Sequence, residues 1–325
     1  MISYFDAHCD TIYRCEMTGT DIALDFGAEQ EQMAYFAQST GLRRNGGHID
    51  LERGRRFTRY AQLFALFYDA KDPAPGGLWR MCSRLHDRFL REMQENSSMV
   101  RHCISGDDVD EAVASGKVAA LLSIEGADLL ECDIRRIETA AQWGVKFLNP
   151  VWNRANVLSG TNAEEPERGL SPAGADFIRE MEACGIYADV SHLSDAGFWD
   201  LLRMTRRPVA ASHSNSREIC GHRRNLTDDM FRAIRDTGGV VGLNLYRDFV
   251  GDDRPDTLVA HIEHFLALDG EKTLCMGGDL DGCEVLAGGM SGVEDLPGLY
   301  LLLKDRGYSA ELLEDIFWNN LRRMF

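Results

Sequence analysis

Eight short apolar runs, separated by amphipathic stretches, constrain this chain more than any other feature of its sequence. The runs fall at 3–6, 61–68, 117–124, 145–149, 186–190, 208–212, 240–245 and 273–278, and each reads as a strand. Between them, apolar residues recur at helical spacing over 78–94, 134–143, 172–184, 195–204, 227–237 and 257–268. Gly185, Gly238 and Gly270 follow or nearly follow three of these stretches, as left-handed C-terminal caps favour. Strands alternating with helices imply a parallel sheet, and eight repeats predict closure into a (β/α)8 TIM barrel. A doubly wound open sheet is the competing arrangement, but no Gly-rich phosphate loop follows the first run. Segments 69–77 and 153–169 read as loops and 310–325 as a closing helix. No linker interrupts the 325 residues, so one barrel domain over 1–325 is expected.

Composition narrows the partners. A formal net charge of -17 repels phosphate backbones and anionic lipid, so neither nucleic acid nor a membrane surface is expected to bind. Much of that acidity serves solubility. With 44% hydrophobic residues the chain can bury a large core unaided, so a metal is expected to serve chemistry, not folding. The nine cysteines are odd in number and form no CxxC pair, which predicts reduced, mostly buried thiols. No basic-then-apolar opening and no hydrophobic tail are visible, so the expected location is the cytoplasm. A homodimer is kept open as the assembly.

In a barrel of this kind the reactive groups sit at the C-terminal ends of the strands. The first run ends in Asp6-Ala7-His8-Cys9-Asp10, where His8 and Asp10, two apart, share a side of an extended segment. The third ends in Ile124-Glu125, a carboxylate costly to bury unless paired or metal-bound. The fifth ends in Ser191-His192 and the sixth in Ser212-His213, two neighbouring strands with the same ending. The eighth ends in Gly277-Gly278-Asp279-Leu280-Asp281-Gly282, where either aspartate can reach the barrel mouth and Asp281-Gly282 also suits a plain turn. Singly, each of these is a weak sign. A His, Asp or Glu at the same end of five strands is the arrangement of a two-metal hydrolase with a carboxylate bridging the ions.

The same segments resemble the membrane dipeptidase (renal dipeptidase) family of zinc peptidases. The resemblance also covers Gly46-Gly47-His48-Ile49-Asp50-Leu51 and Arg224-Asn225-Leu226-Thr227-Asp228, in matching order and spacing. It implies two zinc ions per chain, His8 and Asp10 on one, His192 and His213 on the other, and Glu125 across both. It further implies Asp279 as ligand or proton shuttle beside the first metal, and Arg224 on the carboxylate of a dipeptide-like substrate, sometimes with a D-residue at its C-terminal position. For Arg224 the bland alternative is a salt bridge to Asp228 or Asp229. His48 and Asp50 precede the second run and read as structural; His86, His102, His222, His261 and His264 read as surface or packing residues.

One position departs from the family. Its members usually carry a substrate-contacting His after the fourth run; here the order is Asn149-Pro150-Val151-Trp152-Asn153 and no His occurs in 145–162. Trp152, or its neighbours Asn153 and Arg154, is therefore expected to line the substrate pocket. The expected activity is dipeptide hydrolysis. The alternatives are hydrolysis of N-acyl amino acids or lactones, made more plausible by Trp152, and a non-catalytic barrel that only binds a small ligand.

Overall fold

The computed structural model describes residues 1–17, 41–72 and 74–325. Nine strands form one sheet: β1 Ser3–Asp6, β2 Arg59–Phe67, β3 Val100–His102, β4 Val118–Glu125, β5 Val145–Leu148, β6 Tyr187–Ala188, β7 Ala210–Ala211, β8 Val240–Leu243 and β9 Leu274–Met276. Every ladder pairing is parallel, along the path β6-β5-β4-β2-β1-β9-β8-β7. The two ends of that path meet at a parallel bridge between Asp189 and Ala210, with Val190 N–H donating to Ala210 O at 2.8 Å. The eight expected strands thus close a (β/α)8 TIM barrel, and the open-sheet alternative falls away.

β3 was not foreseen. It pairs only with the first half of β4, Val100 against Val118 and His102 against Ala120, off the main path. Three residues with two of them polar carry no readable period.

Short side chains start the helices. Ser105, Ser171, Ser194, Thr227 and Ser309 each accept a hydrogen bond from a backbone N–H in the first turn of the helix that follows. A cap of this kind contributes about 1 kcal/mol. Gly185 and Gly238 adopt the left-handed backbone expected of them, but at 270 the expectation is corrected: Asp269 takes the positive φ instead. The terminal segment is also not one α-helix. Ala310–Glu314 passes through a π-helical turn, Asp315–Asn319, before Asn320–Arg322.

Alternate residues of the strands, among them Phe5, Leu63, Leu121, Phe147 and Cys275, form an apolar cluster with Trp318, Leu321 and Met324 of the terminal segment. Period-two alternation puts Leu121, Ser123 and Glu125 on the same face of β4, so this inward face ends in a carboxylate at the strand's C-terminal edge. All nine cysteines are free; Cys132, Cys184 and Cys220 are only half-buried, the others buried. Among the described residues no helix is long and apolar enough to cross a membrane.

Candidate metal centre

Five strand ends deliver their polar residues to one place. His8, Asp10, Glu125, His192 and His213 are all nearly inaccessible, and Asp279 is 8% exposed. His8 Nε2 lies 3.5 Å from Asp10 Oδ2, 3.5 Å from Glu125 Oε2 and 3.8 Å from Asp279 Oδ1. On the other side, Glu125 Oε1 lies 2.8 Å from His192 Nε2 and 3.5 Å from His213 Nε2. Three donor sets result, each with atoms within 4.8 Å of one another: His8, Asp10 and Glu125; Glu125, His192 and His213; and His8, His213 and Asp279. Glu125 belongs to the first two, with a different oxygen turned to each.

The chemistry of these donors fits divalent metal. His8 Nε2 and Asp10 Oδ1 are buried and lack a hydrogen-bond partner among the described residues. The Nε2 atoms of His192 and His213 face each other at 3.0 Å. Three carboxylates and three imidazoles converging in one buried cluster are costly without a cation to share. The crowded groups also shift one another's protonation. Burial works against a charged His8, yet Glu125 and Asp10 outweigh it and hold the ring well above the ordinary histidine range. Burial, with Arg224 and His8 adding to it, pushes His192 and His213 well below that range, so both rings keep a free lone pair. Burial, with Asp10 and Asp279 adding negative charge, raises the Glu125 carboxyl to about 7. Burial also raises Asp279.

Close backbone approach is built in. A Cβ on Gly282 would come within 2.2 Å of Asp279 Oδ1 and 2.3 Å of Asp10 Oδ2; one on Gly277 would meet Ser212 O at 1.7 Å. The two aspartates of the eighth run part company here. Asp279, in a left-handed backbone conformation, faces His8 and accepts a 3.1 Å hydrogen bond from Asn244 Nδ2. Asp281 turns away, accepting from His48 N–H at 2.6 Å and the Thr11 hydroxyl at 2.6 Å. His48 Nδ1 in turn accepts from Asp281 N–H at 2.9 Å. Asp50 caps the helix Leu51–Gly54. Neither His48 nor Asp50 joins the donor sets.

A cavity of about 300 Å³ opens over the cluster, lined by Asp10, Glu125, His192, Arg224 and Asp279. Arg224 is 5% exposed, and its Nε and Nη1 have no acceptor among the described residues. Its Nη2 lies 3.1 Å from His192 Nε2, and its guanidinium carbon stands 5.1 Å from the centroid of the Phe249 ring. Burial lowers its pKa to about 10, which still leaves it charged. Asp228 and Asp229 pair with Arg232 instead, so Arg224 is not held in a salt bridge with them.

Trp152 lines the cavity, its ring 4.8 Å from Phe67 and 6.2 Å from His192 between centroids. Asn153 lines it too, but its Oδ1 lies 3.0 Å from His192 Nδ1, so it also orients that ring. Arg154 is exposed and is not among the lining residues. Tyr13, Tyr246, Phe249 and the acidic group Asp69, Asp72 and Glu284 complete much of the wall. Sequence reasoning missed these, together with Asn244. Asn244 directly follows β8, which ends at Leu243, two residues before the end of the run read from the sequence; Tyr13 and Phe249 sit in the short helices Thr11–Met17 and Arg247–Val250 and the others on loops, with no strand-end signal.

Comparisons with known proteins bear on the family and the fold. A model of the membrane dipeptidase family (peptidase family M19) matches residues 1–325. An uncharacterised Klebsiella pneumoniae protein from the pqqA 5′ region is 34% identical over 250 residues, 73% of this chain and 92% of its own. An uncharacterised dipeptidase of Schizosaccharomyces pombe is 28% identical over 322 residues, 90% of this chain and 74% of its own. The fold is similar to that of a Rhodobacter sphaeroides metallopeptidase crystallised with a phosphinate mimic of the dipeptide L-Ala-D-Ala. That similarity has a TM-score of 0.84 at 24% identity and covers 99% of this chain and 98% of the other.

Proposed function

Because the chain belongs to the membrane dipeptidase family of metallopeptidases, we propose that it is a two-zinc dipeptidase whose reaction takes place over Glu125, including on dipeptides with a D-residue at the C-terminal position. The observation that carries this is the division of the Glu125 oxygens, Oε2 toward His8 and Oε1 toward His192 and His213. His8 and Asp10 would hold one ion, His192 and His213 the other, and Glu125 both. Imidazole and carboxylate donors suit zinc. Two such ions supply Lewis acidity and a water acidic enough to attack near neutral pH.

The protein's own groups do the rest. Arg224, with two buried donors unused, binds the substrate's free carboxylate through paired hydrogen bonds and so sets the distance to the scissile bond. Asp279, steadied by Asn244, accepts a proton from the attacking water and returns it to the leaving amine. A cavity of about 300 Å³ suits a dipeptide-sized molecule. Acceptance of a D-residue draws on the L-Ala-D-Ala mimic held by the Rhodobacter sphaeroides protein. A cytoplasmic location and a single barrel domain over 1–325 belong to the same proposal, the former supported by nine cysteines that form no disulfide.

Trp152 favours a second reading, hydrolysis of N-acyl amino acids or lactones, because an indole face replaces a titratable ring on the cavity wall. Metal analysis of the purified protein, followed by zinc-loaded assays on L,L and L,D dipeptides beside N-acyl amino acids, separates the two. Turnover of the dipeptides with about two zinc ions per chain supports the first reading. Turnover of only the acyl substrates supports the second, and a metal-free, inert protein rejects both.

A further inference from the structure

We propose that Asp189, acting through the Ser212 hydroxyl, fixes the tautomer of His213 so that its Nε2 lone pair faces the cluster; both are positioning residues. Its purpose rests on the metal-site reading above, but the hydrogen-bond geometry stands apart from it.

Asp189 lies at the seam where β6 meets β7 and is 1% exposed. Its Oδ1 accepts from Ser191 N–H at 3.1 Å, from the Ser191 hydroxyl at 2.7 Å and from Ser212 N–H at 3.1 Å. Its Oδ2 accepts from the Ser212 hydroxyl. The same Ser212 oxygen lies 2.7 Å from His213 Nδ1. A carboxylate only accepts, and a serine hydroxyl has one proton to give. With that proton on Asp189, Ser212 can offer His213 only a lone pair. Nδ1 therefore carries the ring hydrogen, and in the neutral ring Nε2 is bare. That nitrogen is the one 3.5 Å from Glu125 Oε1.

Ser191 Oγ also stands 3.3 Å from Ser212 Oγ, but its proton goes to Asp189 at the shorter distance of 2.7 Å, while its oxygen accepts from His213 N–H at 3.2 Å. His192 is held differently, by an amide oxygen of Asn153 on the half-buried cavity wall. A clasp joining two strand ends has no need of a buried negative charge, since an amide would serve at lower desolvation cost. A group that can only accept is what a fixed tautomer requires.

Asp189→Asn tests this with almost no change of shape. The amide oxygen stays with the three donors at the Oδ1 position and the NH2 then faces Ser212. Of the acceptors left to the Ser212 proton, His213 Nδ1 at 2.7 Å is nearer than Ser191 Oγ at 3.3 Å, and turning to it moves the ring hydrogen to Nε2. The measurement is 15N NMR of the metal-free, full-length protein with labelled histidine, at mildly alkaline pH, with His213→Gln assigning the ring. Wild type is expected to carry the hydrogen on Nδ1 and Asp189→Asn on Nε2, with zinc affinity by chelator competition lower by about 10- to 100-fold. Ser212→Ala is expected to give a mixture of tautomers and Ser212→Thr the wild-type pattern, and this pair carries the test if Asp189→Asn does not fold. An unchanged His213 tautomer in both Asp189→Asn and Ser212→Ala, with only thermal stability lowered, overturns the proposal and leaves a structural clasp. Inversion of the ring in a protein that binds no zinc would support the relay while sinking the metallopeptidase reading. Zinc binding without inversion would do the reverse.

Discussion

Glu125 turns Oε1 to His192, 2.8 Å from the ring's Nε2, and leaves Oε2 for His8 on the opposite side. One side chain thus serves two donor sets, and its charge is what allows it to. Glu125→Gln keeps the volume and one acceptor but loses the charge and turns an NH2 toward one of the sets. Turnover is expected to fall by at least about 100-fold, the scale of losing one pre-organised electrostatic contact, with the thermal transition nearly unchanged. Near-normal hydrolysis by the folded variant would mean that Glu125 bridges nothing.

Arg224 offers two donors on a planar group, and lysine offers a point charge. Arg224→Lys is therefore expected to lower kcat/KM on dipeptides by about 10- to 100-fold, corresponding to loss of a charge-assisted hydrogen bond of about 1.5–3 kcal/mol. Dipeptide amides, whose C-terminal charge is removed, should be poor substrates of both forms and show little difference between them. An equal loss on acids and amides would place Arg224 away from the substrate carboxylate.

The positions of His8, Asp10, Glu125, His192, His213 and Asp279 were legible because β/α alternation tells which end of a strand faces the active side, and each lies within four residues of the end of an apolar run. What separates Asp279 from Asp281 was not legible. Both have left-handed backbones in one turn, and partners far along the chain, His48 and Thr11, show which of them is structural. The role of Ser212 was hidden for a related reason, since a serine before a histidine has no meaning until Asp189 arrives from the neighbouring strand. Trp152 was legible as a departure, because no His occupies its stretch of sequence. Asn153 was legible as a wall residue but not as the partner of His192, which depends on a loop geometry no period encodes.

Gly282 is the point at which the backbone yields to the site. Its absent Cβ would lie 2.2 Å from Asp279 Oδ1 and 2.3 Å from Asp10 Oδ2. Gly282→Ala must push at least one carboxylate aside. Metal content and kcat are expected to fall by about 10-fold or more, on the scale of a displaced catalytic group, with a smaller effect on thermal stability. A fully active Gly282→Ala protein would show that neither carboxylate needs its present position.

His102 lies away from the metal cluster and brings a pH dependence of its own. Burial, with His86 adding positive charge, lowers its pKa to about 4, against the partial opposition of Asp108. The ordinary value is 6.5, so between the two the unfolded chain binds more protons than the folded one, and stability falls as pH falls through that window. His102→Phe retains a ring against Phe89, whose centroid is 5.0 Å away. Urea unfolding of the metal-free proteins should show the variant gaining on wild type as pH drops from about 7 to about 4.5. Parallel pH profiles would mean that His102 titrates freely in the folded state.

Trp152 bears on what the enzyme cleaves. Its ring stands on the cavity wall between Phe67 and His192, in the stretch where the sequence resemblance leads one to expect a histidine. A hydrogen-bond donor near the scissile carbonyl stabilises the oxyanion as it forms, and losing one such donor costs about 100- to 1000-fold in rate. An indole N–H directed at the carbonyl would recover part of that. An indole face would instead narrow the cavity and favour a flat or apolar group on the substrate. Trp152→His restores a small polar ring and vacates volume beside Phe67. On Ala-Ala and Ala-D-Ala the expected result is a gain in kcat/KM, together with a loss on substrates bearing a bulky apolar acyl group. The two changes must appear together, because one side chain is held responsible for both. An unchanged substrate profile with a lowered thermal transition would reduce Trp152 to a packing residue of the rim.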